Sequence, residues 1–96
     1  MAKTLNRTQS ADLTAQNTYT EESPFNGTFG MRIRGTWAGT LTLQRSDDNG
    51  TNWDDIESFS NNQLRVVLEP ANSGGMWRIG FKSGEYTSGT ASVRLG

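Results

Sequence analysis

The sequence predicts an all-β domain, either an antiparallel β-sandwich of jelly-roll type or a small barrel, and three observations support this. Six short segments alternate apolar and polar residues, as strands do when they bury one face. Clusters of Asn, Gly, Ser and Pro separate these segments at intervals of roughly 8–12 residues. No segment carries a sustained apolar stripe with the 3.6-residue period of a helix. We therefore expect about 6–8 strands in one sandwich or barrel.

Length and composition fit a single small domain with a thin core. The chain has 96 residues, 32% of them hydrophobic, and a formal net charge of −1. This charge is too small for the usual signature of a disordered chain. The low apolar content instead indicates strands that each show one face to water.

The missing residue types restrict the chemistry. The sequence contains no Cys and no His, so it lacks thiolate ligands, the commonest zinc ligand and the base of a Ser-His triad. We expect no enzymatic activity, no cofactor and no metal. The near-neutral charge argues against a nucleic-acid partner, and no segment reaches the ~20 apolar residues of a membrane helix.

Taken in order, residues 1–9 are polar and predict an N-terminal arm, and residues 10–96 form the β-sandwich domain. Residues 10–22 predict one weak edge strand, and a turn follows at 23–27. The clear strands lie at 28–34, 39–46, 53–59, 64–69, 76–81 and 90–95, and a Gly-containing loop is expected at 82–89. Segment 64–69 is the richest in apolar residues and is expected to be well buried. The predicted core is Phe29, Met31, Ile33, Trp37, Leu41, Leu43, Trp53, Ile56, Val66, Leu68, Trp77, Ile79, Phe81, Val93 and Leu95.

The hairpin at 39–53 is the most strongly marked element. Asn49-Gly50 favours a tight turn because both residues tolerate positive φ. The run from Ser46 to Trp53 resembles the Asp-box of sialidases, Ser-x-Asp-x-Gly-x-Thr-Trp, and departs from it at Asn52. The resemblance implies that Asp48 binds the turn backbone, that Gly50 permits the turn and that Trp53 packs beneath it. It implies a structural role and no sialidase activity.

Two other residue groups invite a functional interpretation. Five acidic residues surround the hairpin, but their spacing fits neither a calcium loop nor a paired-carboxylate site: Asp47, Asp48, Asp54, Asp55 and Glu57. The aromatic residues could form a platform for sugar stacking, although a domain of this size needs most of them for its core. Tyr86, in the predicted loop, is the aromatic residue most expected to contact a partner.

Residues 37–46, 48–53 and 76–95 together resemble small virion proteins of tailed bacteriophages. Such proteins carry a hairpin of the same pattern and a closing pair of strands around Tyr86-Thr87-Ser88-Gly89-Thr90. The resemblance implies a capsid decoration, or cement, protein that stabilises the head lattice. It implies a place on the capsid surface after assembly in the host cytoplasm. The alternative is a tail, collar or fibre module that binds a host-surface glycan or another virion protein.

The resemblance also implies partners. The expected partner is the major capsid protein or another virion protein, with several copies of this chain associating on the particle. Lys3 and Arg7 in the arm are candidate contacts. Five arginines at alternating strand positions are candidates for bidentate pairs with acidic capsid loops, with solvated outer faces as the alternative: Arg32, Arg34, Arg65, Arg78 and Arg94.

Overall fold

The structure, a computed structural model, describes residues 8–25, 27–69 and 75–96. This part of the chain is all-β and forms two antiparallel sheets, which confirms the predicted fold class. Its strands are β1 (Gln9–Leu13), β2 (Thr18–Tyr19), β3 (Ser23–Pro24), β4 (Gly27–Arg34), β5 (Trp37–Ser46), β6 (Asp54–Phe59), β7 (Gln63–Glu69), β8 (Met76–Gly89) and β9 (Ala91–Leu95).

The two sheets have different strand orders. Sheet A has the order β1-β9-β4-β7, and sheet B has the order β2-β8-β5-β6, with β3 also paired to β8. Consecutive strands β8 and β9 therefore lie in different sheets, as do β6 and β7. Strands β1 and β7 are the edges of sheet A, and the short or bulged strands β2 and β6 are edges of sheet B.

The core lies between the sheets and is built from the alternate residues of β4, β5, β8 and β9. Its buried apolar members are Leu13, Phe25, Phe29, Met31, Ile33, Leu41, Leu43, Phe59, Trp77, Ile79, Phe81, Ala91, Val93 and Leu95. Aromatic pairs fix part of this packing, because the Phe25 and Phe29 rings stack with centroids 4.1 Å apart. Burial of these side chains is the main favourable contribution to folding.

The segment at 64–69, predicted to be buried, turns its most apolar face to solvent. Val66 is 74% exposed and Leu68 is 68% exposed, and Leu64 on the same face is also exposed. The prediction that 64–69 is well buried was therefore wrong. Strand β7 is an edge strand that directs Val67 and Glu69 inward, so its apolar alternate residues face outward.

Three other predicted core residues also differ from expectation. Ile56 is exposed, since β6 bulges opposite Leu43 and Gln44 and leaves Ile56 outside the pairing register. Trp37 and Trp53 are only half-buried, and Trp37 packs against the edge of the core.

The predicted boundaries also changed in three places. Residues 10–22 contain two strands, β1 and β2, each at the edge of a different sheet. The predicted turn at 23–27 contains β3 and the fully buried Phe25. The predicted loop at 82–89 is a continuation of β8, which pairs with β5 as far as Gly89.

The start of the domain also lies earlier than predicted. Gln9, assigned to the arm, is the first residue of β1 and pairs with Leu95. Its side chain is buried, and its Nε2 donates a hydrogen bond to the carbonyl of Trp77 in the opposite sheet. Residues 1–7 lie outside the described part of the chain.

A buried ion pair joins the two sheets at one end of the sandwich. Arg45 on β5 donates from Nε and Nη2 to the two carboxylate oxygens of Glu69 on β7, at 2.7 and 2.9 Å. The indole of Trp77 also donates to Glu69, at 2.8 Å. These bonds compensate for the burial of the Glu69 carboxylate, whose side chain is fully buried.

Candidate functional site

The outer face of sheet A carries the least compensated surface in the described part of the chain. Strand alternation places Arg32 and Arg34 of β4 outward, because Met31 and Ile33 are buried beneath them. The same alternation places Arg94 of β9 outward. We call these three residues the arginine cluster.

The register of the sheet brings two of these arginines face to face. Arg32 and Arg94 are directly paired across β4 and β9, and Arg34 is paired with Ser92. Directly opposed side chains in an antiparallel pair have Cβ atoms about 4.5–5.5 Å apart, and like charges at such positions are destabilising. The arrangement therefore costs stability in the isolated domain.

None of the described carboxylates lies within ion-pair distance of the arginine cluster. Asp12 on β1 is the nearest acidic residue on this face, and its Oδ1 accepts a hydrogen bond from Ser92 at 2.7 Å. The three guanidinium groups therefore keep their hydrogen-bond donors available to solvent or to a partner.

The cluster lines a shallow concavity of about 320 Å³. Its walls come from β1, β4 and β9, and they include all three arginines, Ser10 and Asp12. A second concavity of about 230 Å³ shares Arg32 and Arg94 with the first and extends to Leu64 on β7. The arginine cluster and the edge strand thus form one continuous surface.

The edge strand adds an apolar component to this surface. Leu64, Val66 and Leu68, which we call the apolar stripe, point outward from β7, and Leu64 is 81% exposed. They lie opposite Arg32, Gly30 and Thr28 of β4, respectively. Edge strands in soluble proteins usually carry charges, bulges or proline that prevent association. An exposed apolar edge beside unpaired arginines is typical of an interaction surface.

The predicted hairpin is present, but β5 and β6 are joined by the loop at 47–53 and not by a tight two-residue turn. Asn49 and Gly50 have φ values of 62° and 90°, as predicted. Asp48 accepts hydrogen bonds from the backbone N–H of Asn52 at 2.8 Å and from the Ser46 hydroxyl at 2.7 Å. The Ser46 hydroxyl also accepts a bond from the Gly50 N–H at 2.9 Å. These bonds define the loop at 47–53.

The same bonds stabilise the charged form of Asp48. Hydrogen bonds from the Asn52 backbone, from Ser46 and from the Asn52 side chain lower the pKa of Asp48 to about 2. The Asn52 amide donates at 2.7 Å, so the residue at which the sequence departs from the Asp-box still takes part in the turn.

Trp53, predicted to lie in the core, instead packs its ring against the Arg78 guanidinium. Its Nε1 donates to the Gly50 carbonyl at 3.2 Å, which holds the ring over the turn. The Arg78 guanidinium lies 4.2 Å from the Trp53 ring centroid and 4.0 Å from that of Tyr19. Arg78 is therefore held between two aromatic rings, and its Nε also donates to Gln44 at 2.8 Å.

The outer face of sheet B is internally paired. Gln44 donates to Asp55 at 2.8 Å, and Lys82 donates to the other Asp55 oxygen at 2.6 Å. Both bonds lower the pKa of Asp55. With Arg78 bonded to Gln44 as well, these groups leave few free polar atoms, in contrast to the outer face of sheet A.

The remaining predicted contact residues have different outcomes. Tyr86 lies in β8 and is half-buried, with its ring against Phe81 at 5.0 Å and its hydroxyl bonded to the Gly89 carbonyl. Its assignment to a loop was wrong, and a contact with a partner stays a prediction. Lys3 and Arg7 lie outside the described residues.

Sequence reasoning identified the five candidate arginines but did not separate them. Arg78 and Arg65 have intramolecular partners, since Arg65 forms an ion pair with Glu57. Arg32, Arg34 and Arg94 have no ion-pair partner among residues 8–25, 27–69 and 75–96. The apolar stripe was missed, because the run was assigned to the core. Arg45 follows Leu41 and Leu43 at alternate positions, so the sequence places it on the inward face of its strand. Since a buried arginine needs an acidic partner, this pattern already indicated an inward-facing acidic residue on another strand.

The described part of the chain shows neither a metal-binding cluster nor a membrane-spanning helix. Within residues 8–25, 27–69 and 75–96, no group of three or more acidic residues is arranged to hold a metal ion. The same part of the chain contains no helix long and apolar enough to span a membrane.

Comparisons with protein-family models, curated proteins and solved structures give no match for this chain. The resemblance to virion proteins therefore stays a prediction.

Proposed function

We propose that this protein is a non-enzymatic structural protein of a tailed-bacteriophage particle, of the capsid-decoration type. It binds the particle through the outer face of sheet A. The observation that carries the proposal is the exposed apolar stripe beside the unpaired arginine cluster. The resemblance of residues 76–95 to virion proteins supplies the kind of particle.

The apolar stripe supports docking on a larger protein surface. Leu64, Val66 and Leu68 are side chains whose burial is favourable, and the domain itself does not bury them. A lean domain with a small core gains stability when it docks on an assembly. On a lattice, many copies bound at modest interfaces reinforce one another.

The choice of face follows from the contrast between the sheets. On sheet B, Arg78 is bonded to Gln44, and Asp55 to both Gln44 and Lys82. A partner that used these polar groups as contacts would have to compete with their internal hydrogen bonds. On the outer face of sheet A, the arginine cluster has no ion pair with any described residue that docking would disrupt.

Fractionation of the particle tests the proposal directly. Heads and tails of the phage that encodes this chain would be separated and quantified by mass spectrometry. We expect the protein in heads, in a fixed ratio to the major capsid protein. Its presence in tails alone would overturn the head assignment in favour of the tail or fibre alternative, and its absence from particles would overturn the virion assignment.

A variant pair tests the docking face. Val66→Asp places a charge in the apolar stripe, and Ile56→Asp places the same charge on an exposed apolar residue of the other sheet. We expect Val66→Asp to reduce binding to capsids that lack this protein by about tenfold or more. Ile56→Asp should bind as the wild type does. Equal binding by both variants would exclude the outer face of sheet A.

A further inference from the structure

We infer that Arg32, Arg34 and Arg94 form a carboxylate-binding site for an acidic, partly apolar protein segment that lies across β9, β4 and β7. This inference rests on the proposed function and names the chemistry of the partner. It selects three arginines out of the five and assigns the apolar stripe to the same bound segment.

Arg32 and Arg94 place like charges at opposed positions of β4 and β9. These residues are directly opposed in the sheet, and no described carboxylate compensates them. A sequence usually departs from such a pairing rule at functional sites. A carboxylate bound between the two guanidinium groups would replace repulsion by charge-assisted hydrogen bonds.

The concavity on this face has the size and the donor groups to hold a carboxylate. It has a volume of about 320 Å³, and its polar lining includes the three guanidinium groups together with Ser10 and Ser92. Asp12 also lines the concavity, and its Oδ1 accepts a hydrogen bond from the Ser92 hydroxyl at 2.7 Å, so one acidic side chain stands among the three arginines. A lining dominated by donors suits an oxyanion, and the planar guanidinium suits a carboxylate bound through two oxygens.

The apolar stripe distinguishes a protein segment from a nucleic acid. The second concavity connects Arg32 and Arg94 with Leu64. Adjacent strands lie about 4.8 Å apart, so β9 and β7 are separated by about 10 Å. A single extended segment can therefore cross from β9 to β7. Its acidic residues then lie above β9 and β4, and its apolar residues lie above β7. A phosphate backbone would leave the stripe exposed to water.

Charge also argues against two other occupants. A symmetric face-to-face contact with a second copy would bring only Asp12, which is already bonded to Ser92, to the three arginines of the cluster. Residues 1–7 of the chain contain Lys3 and Arg7 and no acidic residue. Neither provides the negative charge that the site requires.

Peptide binding to the whole protein tests the inference without the particle. The probe is a synthetic peptide with Glu residues in its first half and Val residues in its second half, so that an extended segment presents acidic residues to β9 and β4 and apolar residues to β7. The controls are the corresponding Gln and Val peptide and a single-stranded DNA of equal charge. We expect calorimetry to show binding of the Glu and Val peptide that weakens as salt rises. Tighter binding of the DNA, or no binding of the acidic peptide, would overturn the inference.

Matched variants locate the site. Arg94→Gln and Arg32→Gln should each weaken binding of the acidic peptide by about tenfold. Arg65→Gln removes an exposed arginine that pairs with Glu57 on the far side of β7, and it should leave peptide binding unchanged. Unchanged binding in Arg94→Gln and Arg32→Gln would overturn the inference.

Thermal stability gives a second readout that a merely structural arginine would not give. Arg94→Gln should melt at the same or a higher temperature than the wild type at low salt, because it removes the repulsion with Arg32. The difference should shrink as the salt concentration rises. A clearly lower melting temperature at low salt would contradict the inference.

The two proposals can fail separately. If the protein is absent from particles while the acidic peptide binds with the expected arginine dependence, only the virion assignment fails. If Arg94→Gln binds capsids as the wild type does while Val66→Asp does not, the docking face stands and the carboxylate site fails.

Discussion

Arg45 and Glu69 hold the two sheets together through two parallel hydrogen bonds between β5 and β7. Glu69 is fully buried, whereas the Arg45 side chain is 23% exposed. The pair occupies inward positions that apolar residues would fill in an ordinary sandwich. The pair directs Glu69 of β7 into the core. Because successive residues of a strand point to opposite faces, the apolar stripe of β7 then points outward.

Glu69→Ala should destabilise the domain by about 3 kcal/mol, because it leaves the Arg45 guanidinium and the Trp77 indole without their acceptor. Partial exposure of Arg45 keeps this value at the lower end of the range for buried pairs. Urea denaturation followed by tryptophan fluorescence measures the loss.

The control is Glu57→Ala, which removes the ion pair between β6 and β7 that lies at the surface with Arg65. Exposed pairs contribute about 0–1 kcal/mol. The double variant Arg45→Met/Glu69→Leu should recover the part of the loss that comes from the unpaired Arg45 guanidinium, whereas the Trp77 indole still lacks its acceptor. If Glu57→Ala and Glu69→Ala cost the same, the buried pair has no special role.

Asp48 gives the domain a pH dependence of known sign. Its pKa in the folded protein is about 2, below the ordinary value of 3.8. Between these values the unfolded chain binds more protons than the folded protein does. Asp48 therefore stabilises the fold above about pH 4, and this contribution is lost as the pH falls toward 2.

Asp48→Asn should lower the melting temperature at pH 7, and the difference from the wild type should shrink between pH 5 and pH 2. Differential scanning calorimetry across this range measures it. Asp47→Asn is the control, since it removes the same charge from the neighbouring exposed position of the loop. A difference for Asp48→Asn that stays constant with pH would contradict the role of its ionised form.

The sequence predicted the fold class, most strands and the hairpin because these depend on local signals. The alternation around Met31 and Ile33 and the positive φ of Asn49 and Gly50 are properties of a few adjacent residues. Such signals survive in any sandwich topology, and the structure confirms them.

The orientation of β7 could not be predicted in the same way. Leu64, Val66 and Leu68 alternate with Arg65 and Glu69, so the pattern alone favours the apolar face as the buried one. Glu69 faces inward because it pairs with Arg45, which is distant in the sequence. The opposition of Arg32 and Arg94 likewise depends on strand order, which local patterns do not determine.

Arg78 should contribute to stability through its place between the rings of Tyr19 and Trp53. Arg78→Lys should lower the free energy of unfolding by about 1 kcal/mol, because an ammonium group cannot stack between two rings in the way a planar guanidinium does. Urea denaturation measures the loss.

The matched control is Arg34→Lys, in an exposed residue without a ring contact among the described residues. Its stability should stay within about 0.5 kcal/mol of the wild type. If the two lysine variants have the same free energy of unfolding, the position of Arg78 between the two rings does not contribute to stability.

Replacement of a valine by threonine should cost more stability on the inner face of sheet A than on its outer face. Val93 is 2% exposed and Val66 is 74% exposed. Val93→Thr buries a hydroxyl in an apolar environment and should cost about 1–3 kcal/mol. Val66→Thr keeps the shape of an exposed β-branched strand residue and should stay within about 0.5 kcal/mol of the wild type.

Urea denaturation of both variants and capsid binding of Val66→Thr complete this test. Val66→Thr should weaken docking while leaving stability intact, because its side chain is buried only in the complex. A cost at Val66 equal to that at Val93 would place Val66 in the core and would remove the apolar stripe on which the docking face depends.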